Sequence, residues 1–271
     1  MRILNCMLAA AGVLVGAYLT GYCGATASVI YSALAAFFVC GAGNVHNDIV
    51  DIPIDRISHG GRPLAAGRLS VPGAYAISVV AALVGLVFAF LSNSFMLLAS
   101  VAALGFLYLY NVRSKRVPLL GNCVIAFLGA LTFAAGGLAV NVRSVVALPG
   151  PLIASAFAFP MHLTREIVKD VQDIKGDAAL GVRTLPQAIG VNASLRLGLV
   201  LIILLVLLTI VPILTGWYGI GYALLALLGV DLPLLIVLLA ALYRPTEQRL
   251  KAASTGLKLA MAVGLVALFL G

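Results

Sequence analysis

Asn47-Asp48-Ile49-Val50-Asp51-Ile52-Pro53-Ile54-Asp55 closes one long apolar run, and Glu166-Ile167-Val168-Lys169-Asp170-Val171-Gln172-Asp173-Ile174-Lys175-Gly176-Asp177 closes another. Both contain D-x-x-D-x-x-x-D, as Asp48/Asp51/Asp55 and Asp170/Asp173/Asp177. Together they hold seven of the nine carboxylates in the chain; only Asp231 and Glu247 lie elsewhere. Spacings of three and four residues bring side chains to one face of a helix. Asn47, Asp51 and Asp55 then form one row, and Glu166, Asp170, Asp173 and Asp177 form another. Pro53 is expected to kink the first row.

The apolar runs around these motifs decide the class. The chain has 271 residues, of which 63% are hydrophobic and 10% charged, and its mean hydropathy is +1.15. Soluble domains carry about 25% charged residues, so water is not the main solvent of this surface. Nine stretches are long enough to span a bilayer, at 3–20, 26–47, 71–91, 94–111, 119–140, 150–168, 191–213, 217–241 and 253–270. They are continuously apolar without alternation, which excludes a β-barrel. The expected fold is an all-α integral membrane bundle of nine transmembrane helices, one domain over 1–271.

Charge sets the orientation. Sixteen of the 17 Lys and Arg residues fall on one side of these spans, with Arg143 the exception. The positive-inside rule makes that side cytoplasmic, with the N-terminus inside and the C-terminus outside. The net charge of +8 is then mostly topology, and no basic face is left in water for nucleic acid. The opening apolar run followed by Gly24-Ala25-Thr26-Ala27 imitates a signal peptide, but its removal would upset the charge alternation. Cys6, Cys23, Cys40 and Cys123 are scattered through apolar stretches without a CxxC and read as packing residues.

Each motif follows an even-numbered span, so both acidic clusters, near 44–68 and 165–186, open to the same side. Two acidic rows repel unless cations lie between them. Hard oxygen ligands select Mg²⁺, which keeps waters and takes substrate phosphates as further ligands. Basic residues follow each motif: Arg56, Arg62 and Arg68; Arg113, Lys115 and Arg116 between spans four and five; and Arg183. A departing diphosphate needs such charges. Solvated helix caps and topology signals are the plainer readings of the acids and bases, and the duplicated spacing on one side argues against them for the acids.

These residues resemble the UbiA superfamily of intramembrane prenyltransferases. Asn47-x-x-x-Asp51-x-x-x-Asp55 and Asp173-x-x-x-Asp177 match its two metal motifs, after helices two and six. The resemblance implies that Asn47, Asp51, Asp55, Asp173 and Asp177 hold two Mg²⁺ ions, supported by Asp48 and Asp170. It places Asp51, Asp55, Asp173 and Asp177 at the catalytic centre and Arg62 and Lys115 on the diphosphate of a prenyl donor. The family's Tyr-x-x-x-Lys motif has Asn111 at the Tyr position here, and Tyr110, one residue earlier, is the candidate for that substrate contact.

Arg165–Asp177, Thr184-Leu185-Pro186 and the opening Arg2-Ile3-Leu4-Asn5-Cys6 are most similar to the family's archaeal ether-lipid branch. That similarity implies transfer of a geranylgeranyl group from its diphosphate to the hydroxyl of geranylgeranylglyceryl phosphate. Arg2, Asn5, Arg165 and Lys169 are then candidates for the acceptor and its phosphate. The partners expected are the prenyl diphosphate, a lipid-like acceptor and the bilayer, with oligomeric state left open by the sequence. An aromatic acceptor is the alternative within the enzyme class. A transporter is the rival outside it, disfavoured because both motifs face one side. His46, beside Asn47, reads as structural, while His162 lies four residues before Glu166 on the same helix face, where a hydrogen bond in the pocket is open to it. Asp231, inside span eight, is either functional or hydrogen-bonded to a neighbouring helix.

Overall fold

The structure, a computed structural model, describes residues 2–22, 26–58, 60–112, 117–179 and 181–271, without the side chains of Ile57, Ser58 and Lys175. Among the described residues it is helical with no strand. In chain order the helices are α1 (Ile3–Tyr18), α2 (Ala27–Val50), α3 (Ile52–Ser58), α4 (Val71–Ser92), α5 (Ser94–Val112), α6 (Leu120–Val140), α7 (Pro151–Ala179) and α8 (Leu185–Ile189). They continue as α9 (Val191–Leu214), α10 (Ile220–Leu224), α11 (Leu232–Tyr243) and α12 (Glu247–Phe269). A 3₁₀ turn at Val142–Val145 precedes α7, and a π-helical segment, Leu225–Asp231, joins α10 to α11.

Among the described residues, seven helical segments are long and apolar enough to cross a membrane: α2, α4, α5, α6, α9, the α10–α11 unit Ile220–Tyr243, and α12. Helix α1 is apolar but has 16 residues. Helix α7 runs for 29 residues, about 43 Å at 1.5 Å per residue. It continues past the apolar stretch that ends near 168, so the whole motif Glu166–Asp177 is helical. The outer surface is rich in large apolar side chains, among them Phe90 at 70% and Leu98 at 69% relative exposure. Such a surface suits lipid and not water. The protein is a multi-pass membrane protein.

The largest buried cluster joins α7, α9, α11 and α12 through Phe157, Val168, Leu195, Ile202, Leu234, Leu238 and Leu257. Polar side chains cross-link the other half. Ser32 of α2 and Ser92 of α4 are 2.7 Å apart, and Ser78 of α4 donates to the Ala42 carbonyl at 3.0 Å. Hydrogen bonds of this kind suit helices in lipid, where burial of apolar surface between helices gains little.

Small residues bring α1 against α6. A Cβ at Gly16 would lie 2.1 Å from the Phe133 carbonyl oxygen, and one at Gly136 would lie 2.2 Å from that of Val13. Gly12 and Gly16 are spaced GxxxG on α1, a spacing that lets backbones approach. This crossing fixes the helix that carries Arg2 and Asn5 to the site.

Candidate active site

The first acidic motif spans the end of α2 and all of α3. Helix α2 stops at Val50, Asp51 caps it, and Pro53 lies in the first turn of α3. The expected kink is therefore a helix break. The row survives it, because the Asp51 amide donates to the Asn47 carbonyl at 2.9 Å and the Asp55 amide donates to that of Asp51 at 2.7 Å. Asp51 and Asp55 are 6% and 3% exposed. Helix α3 packs against α7, which brings the two acidic motifs together. On α7, Glu166 and Asp177 are buried and Asp170 and Asp173 are half-buried.

Buried carboxylates are costly unless cations or donors compensate them. Arg2 donates to Asn47 Oδ1 at 3.1 Å and to Asp48 Oδ1 at 2.8 Å. Burial alone would lower the Arg2 pKa, and Asp48, Asp51 and Glu166 more than offset that, holding it above its ordinary value. Arg62, in the loop after α3, ion-pairs with Asp55 and lies 3.9 Å from Asp48. The positive φ of Gly67, 69°, turns that loop back. On α7, Asn122 of α6 donates to Asp170 Oδ2 at 2.8 Å. Past the apolar stretch, burial pushes Asp170 up to about 7; the Asn122 amide works against this and the Glu166 charge adds to it.

A metal ion fits this donor set in kind: the groups are hard oxygen ligands on two packed helices, and their buried negative charge calls for cations. Among the described residues, no three His, Cys, Asp or Glu side chains already converge on one point. Arg2 and Arg62 instead neutralise the first row.

A polar chamber of about 80 Å³ opens beside the motifs. Arg2, Asn5, Asn47, Tyr110, Asn111, Arg165, Glu166 and Lys169 all line it, so seven residues proposed from the sequence meet there with Asn111. Asn111, which stands at the family's Tyr position, is the buried partner of Asn47: Asn47 Nδ2 donates to its Oδ1 at 3.0 Å. Its own amide nitrogen lies 3.0 Å from His46 Nδ1, and His46 stacks on Tyr108. Glu166 meets Arg165 at 2.8 Å and Lys169 at 3.6 Å. Lys115 lies outside the described residues.

Next to the chamber is an apolar cavity of about 280 Å³. Asn5, Asn44, Leu107, Ile125 and Arg165 line both spaces, so they form the neck between them. From there the cavity descends past Phe157, Met161 and Leu205 to Thr209 and Tyr222. His162 lines it too; among the described residues it makes no hydrogen bond to Glu166, and its ring packs where a Cβ on Gly129 would be 2.7 Å away. Asp231 accepts from Thr209 Oγ1 at 2.7 Å, the interhelical bond that was one of its two readings. A cavity-lining residue that the sequence reading did not single out is Lys258 of α12. It had been counted only as a topology charge, although a lysine within a span is itself a functional signal.

Residues 7–267 match the model of the UbiA prenyltransferase family. The chain belongs to that family. Digeranylgeranylglyceryl phosphate synthase of Methanopyrus kandleri is 38% identical, over 88% of this chain and 86% of its own length. A solved structure of digeranylgeranylglyceryl phosphate synthase is 32% identical, covers 100% of this chain and 95% of its own, and superposes with a TM-score of 0.76. A UbiA homologue from Archaeoglobus fulgidus, solved with GPP and Mg²⁺, shares the fold at 21% identity and a TM-score of 0.68, over 99% of this chain and 98% of its own. This UbiA-family chain is accordingly a prenyltransferase.

Proposed function

We propose that this enzyme transfers a geranylgeranyl group from geranylgeranyl diphosphate to the free hydroxyl of geranylgeranylglyceryl phosphate, a step of membrane ether-lipid synthesis. The observation that carries the reading is a polar chamber beside two acidic motifs that opens through a shared neck into an apolar cavity. A substrate with a charged head and a long hydrocarbon tail fits that pairing. The similarity to ether-lipid synthases favours the glycerol-phosphate acceptor over an aromatic one.

Asn47, Asp51, Asp55, Asp173 and Asp177 would hold two Mg²⁺ ions, with Asp48 and Asp170 beside them. Mg²⁺ supplies positive charge to the departing diphosphate. Arg62 and Lys115 add to that charge, and Arg offers a fork suited to phosphate oxygens. Tyr110 and Asn111 wall the chamber, and Asn111 holds Asn47 in place. The allylic C–O bond breaks, leaving a delocalised cation that the apolar cavity shields from water. The acceptor hydroxyl then attacks the cation and loses its proton late, so no strong base is assigned. Arg2, Asn5, Arg165 and Lys169, which line the chamber, would contact the acceptor and its phosphate. The fold is read as one domain of nine spans, counting α1 and α7, with the N-terminus and the active site on the cytoplasmic side. The distribution of Lys and Arg supports that orientation.

Purified protein, Mg²⁺ and labelled geranylgeranyl diphosphate, offered geranylgeranylglyceryl phosphate beside an aromatic acid, test the reading directly. Label is expected in the glycerol lipid. Label only in the aromatic product would refute the acceptor. Asp51→Ala and Asp173→Ala are each expected to abolish turnover in folded protein, and wild-type rates from either would remove the metal assignment.

A further inference from the structure

The acidic rows account for one anion, the donor's diphosphate; Arg165, Lys169 and Lys258 outnumber Glu166, the one carboxylate that acts on Lys258 together with them. Glu166 is the carboxylate at their centre, and Arg165 at 2.8 Å and Lys169 at 3.6 Å already bond it. Lys258 is close enough to Arg2, Arg165, Lys169 and Glu166 for each to act on it electrostatically. Among the described residues no carboxylate forms an ion pair with it.

Lys258 lies on α12, five residues and about 7.5 Å inside the apolar stretch 253–270, in a helix apolar enough to span the membrane, and its side chain is exposed to the space beside it. An ammonium inside a span calls for water or an anion to face. It lines the apolar cavity with Arg165 and Asn5, two of the neck residues, and α12 packs against both α7 and α1. The place thus combines surplus positive charge with an adjoining apolar wall. A divalent cation has no reason to settle there. A dianionic head on a hydrocarbon tail does, and a carboxylate, with one charge, leaves more of the surplus uncompensated.

We infer that Lys258, with Arg165 and Asn5, forms a subsite for a lipid-borne phosphomonoester, seating the acceptor's phosphate apart from the carboxylate rows that serve the donor. The inference rests on the proposed transfer to geranylgeranylglyceryl phosphate, and Lys258 is a binding and selectivity residue of that reaction. Charge at position 258 then sets the preference for phosphorylated over neutral acceptors.

The test compares wild type, Lys258→Gln and Lys258→Arg in nanodiscs of phosphatidylcholine with Mg²⁺ and labelled geranylgeranyl diphosphate. Acceptors are geranylgeranylglyceryl phosphate and its dephosphorylated alcohol. Lys258→Gln is expected to raise KM for the phosphate acceptor about tenfold or more, the size of a lost charge-assisted bond. It should leave KM for the donor and for the alcohol unchanged, and Lys258→Arg should restore most of the loss. The unchanged donor KM also reports a folded site. An unaltered acceptor KM in Lys258→Gln, or equal rises for donor and acceptor, would overturn the inference. Competition by inorganic phosphate alone, lost in Lys258→Gln, would make this a free-anion site and overturn it too. A wild type that gives no product from the phosphate acceptor would instead refute the transfer reaction, a distinct outcome.

Discussion

Replacing Gly16 by Ala tests whether the close crossing of α1 on α6 holds the site together. The added Cβ would lie 2.1 Å from the Phe133 carbonyl oxygen and 2.9 Å from its Cα, where ordinary contact begins at 3.4 Å. The shortfall is 1.3 Å (3.4 against 2.1 Å), and the obstacle is backbone, which has no rotamer to swing aside. The helices must separate, losing the packing of Val13 and Val15 along the crossing. Overpacking of this kind costs about 1–3 kcal/mol. Gly105→Ala is the matched control: nothing lies within 4 Å of a Cβ there, so the better helix propensity of Ala is the main effect, worth about 1 kcal/mol in favour of the variant. Thermal unfolding of purified protein in detergent compares the two. Gly16→Ala should melt below wild type and Gly105→Ala at or above it. Because α1 delivers Arg2 to Asn47 and Asp48, Gly16→Ala should also lose turnover at temperatures where it is still folded. Equal melting temperatures for the two variants would refute the argument from close approach.

Three further outcomes follow from the site. Chelation with EDTA should abolish transfer and added Mg²⁺ should restore it; turnover that persists after chelation would remove the metal from the reaction. Asn122→Ala deletes the amide that orients Asp170, so the Mg²⁺ concentration for half-maximal turnover should rise about 10–100-fold, as for other residues that hold metal ligands in place; an unchanged Mg²⁺ curve would show that Asp170 needs no such support. Asp231→Leu removes the carboxylate that accepts from Thr209, but that hydroxyl keeps the Val206 carbonyl at 2.9 Å, so stability should change by no more than about 1 kcal/mol with both KM values unchanged, whereas a raised KM in a stable Asp231→Asn protein would give that carboxylate a role in substrate binding.

The acidic motifs were legible because two independent signals coincide in them: a repeated three-and-four spacing, and scarcity of acids everywhere else. The apolar runs were legible because lipid demands them. What the sequence hid depends on long-range packing. Asn111 read as a missing Tyr, and only the folded chain shows it bonded to Asn47, 64 residues away. Arg2 stands 46 residues from Asp48, and no local pattern pairs them. Pro53 announced a kink, but the full helix break at Asp51 and the backbone bonds across it, which keep Asp55 in the row, are not a sequence property. Lys258 was counted by side of the membrane, a rule about loop charge, while its role follows from which way α12 faces.

Helix α7 draws these features into one device. Arg165, Glu166 and Lys169 lie at its neck end, and Asp170, Asp173 and Asp177 follow on the same continuous helix. From Arg165 to Asp173 and Asp177 is eight and twelve residues, about 12 and 18 Å of axial rise. In the proposed transfer, two anionic substrates must bring a carbon and an oxygen together although their phosphates repel. A rigid helix carrying cations toward one phosphate and metal-binding carboxylates toward the other holds the anions at a fixed separation while their apolar tails share one cavity. Glu166, bonded to Arg165 and Lys169, keeps that basic end from spreading over the acidic rows a turn away. On that proposal the charges of α7 are sorted by substrate, and the reacting atoms would meet where the two halves adjoin, at the neck.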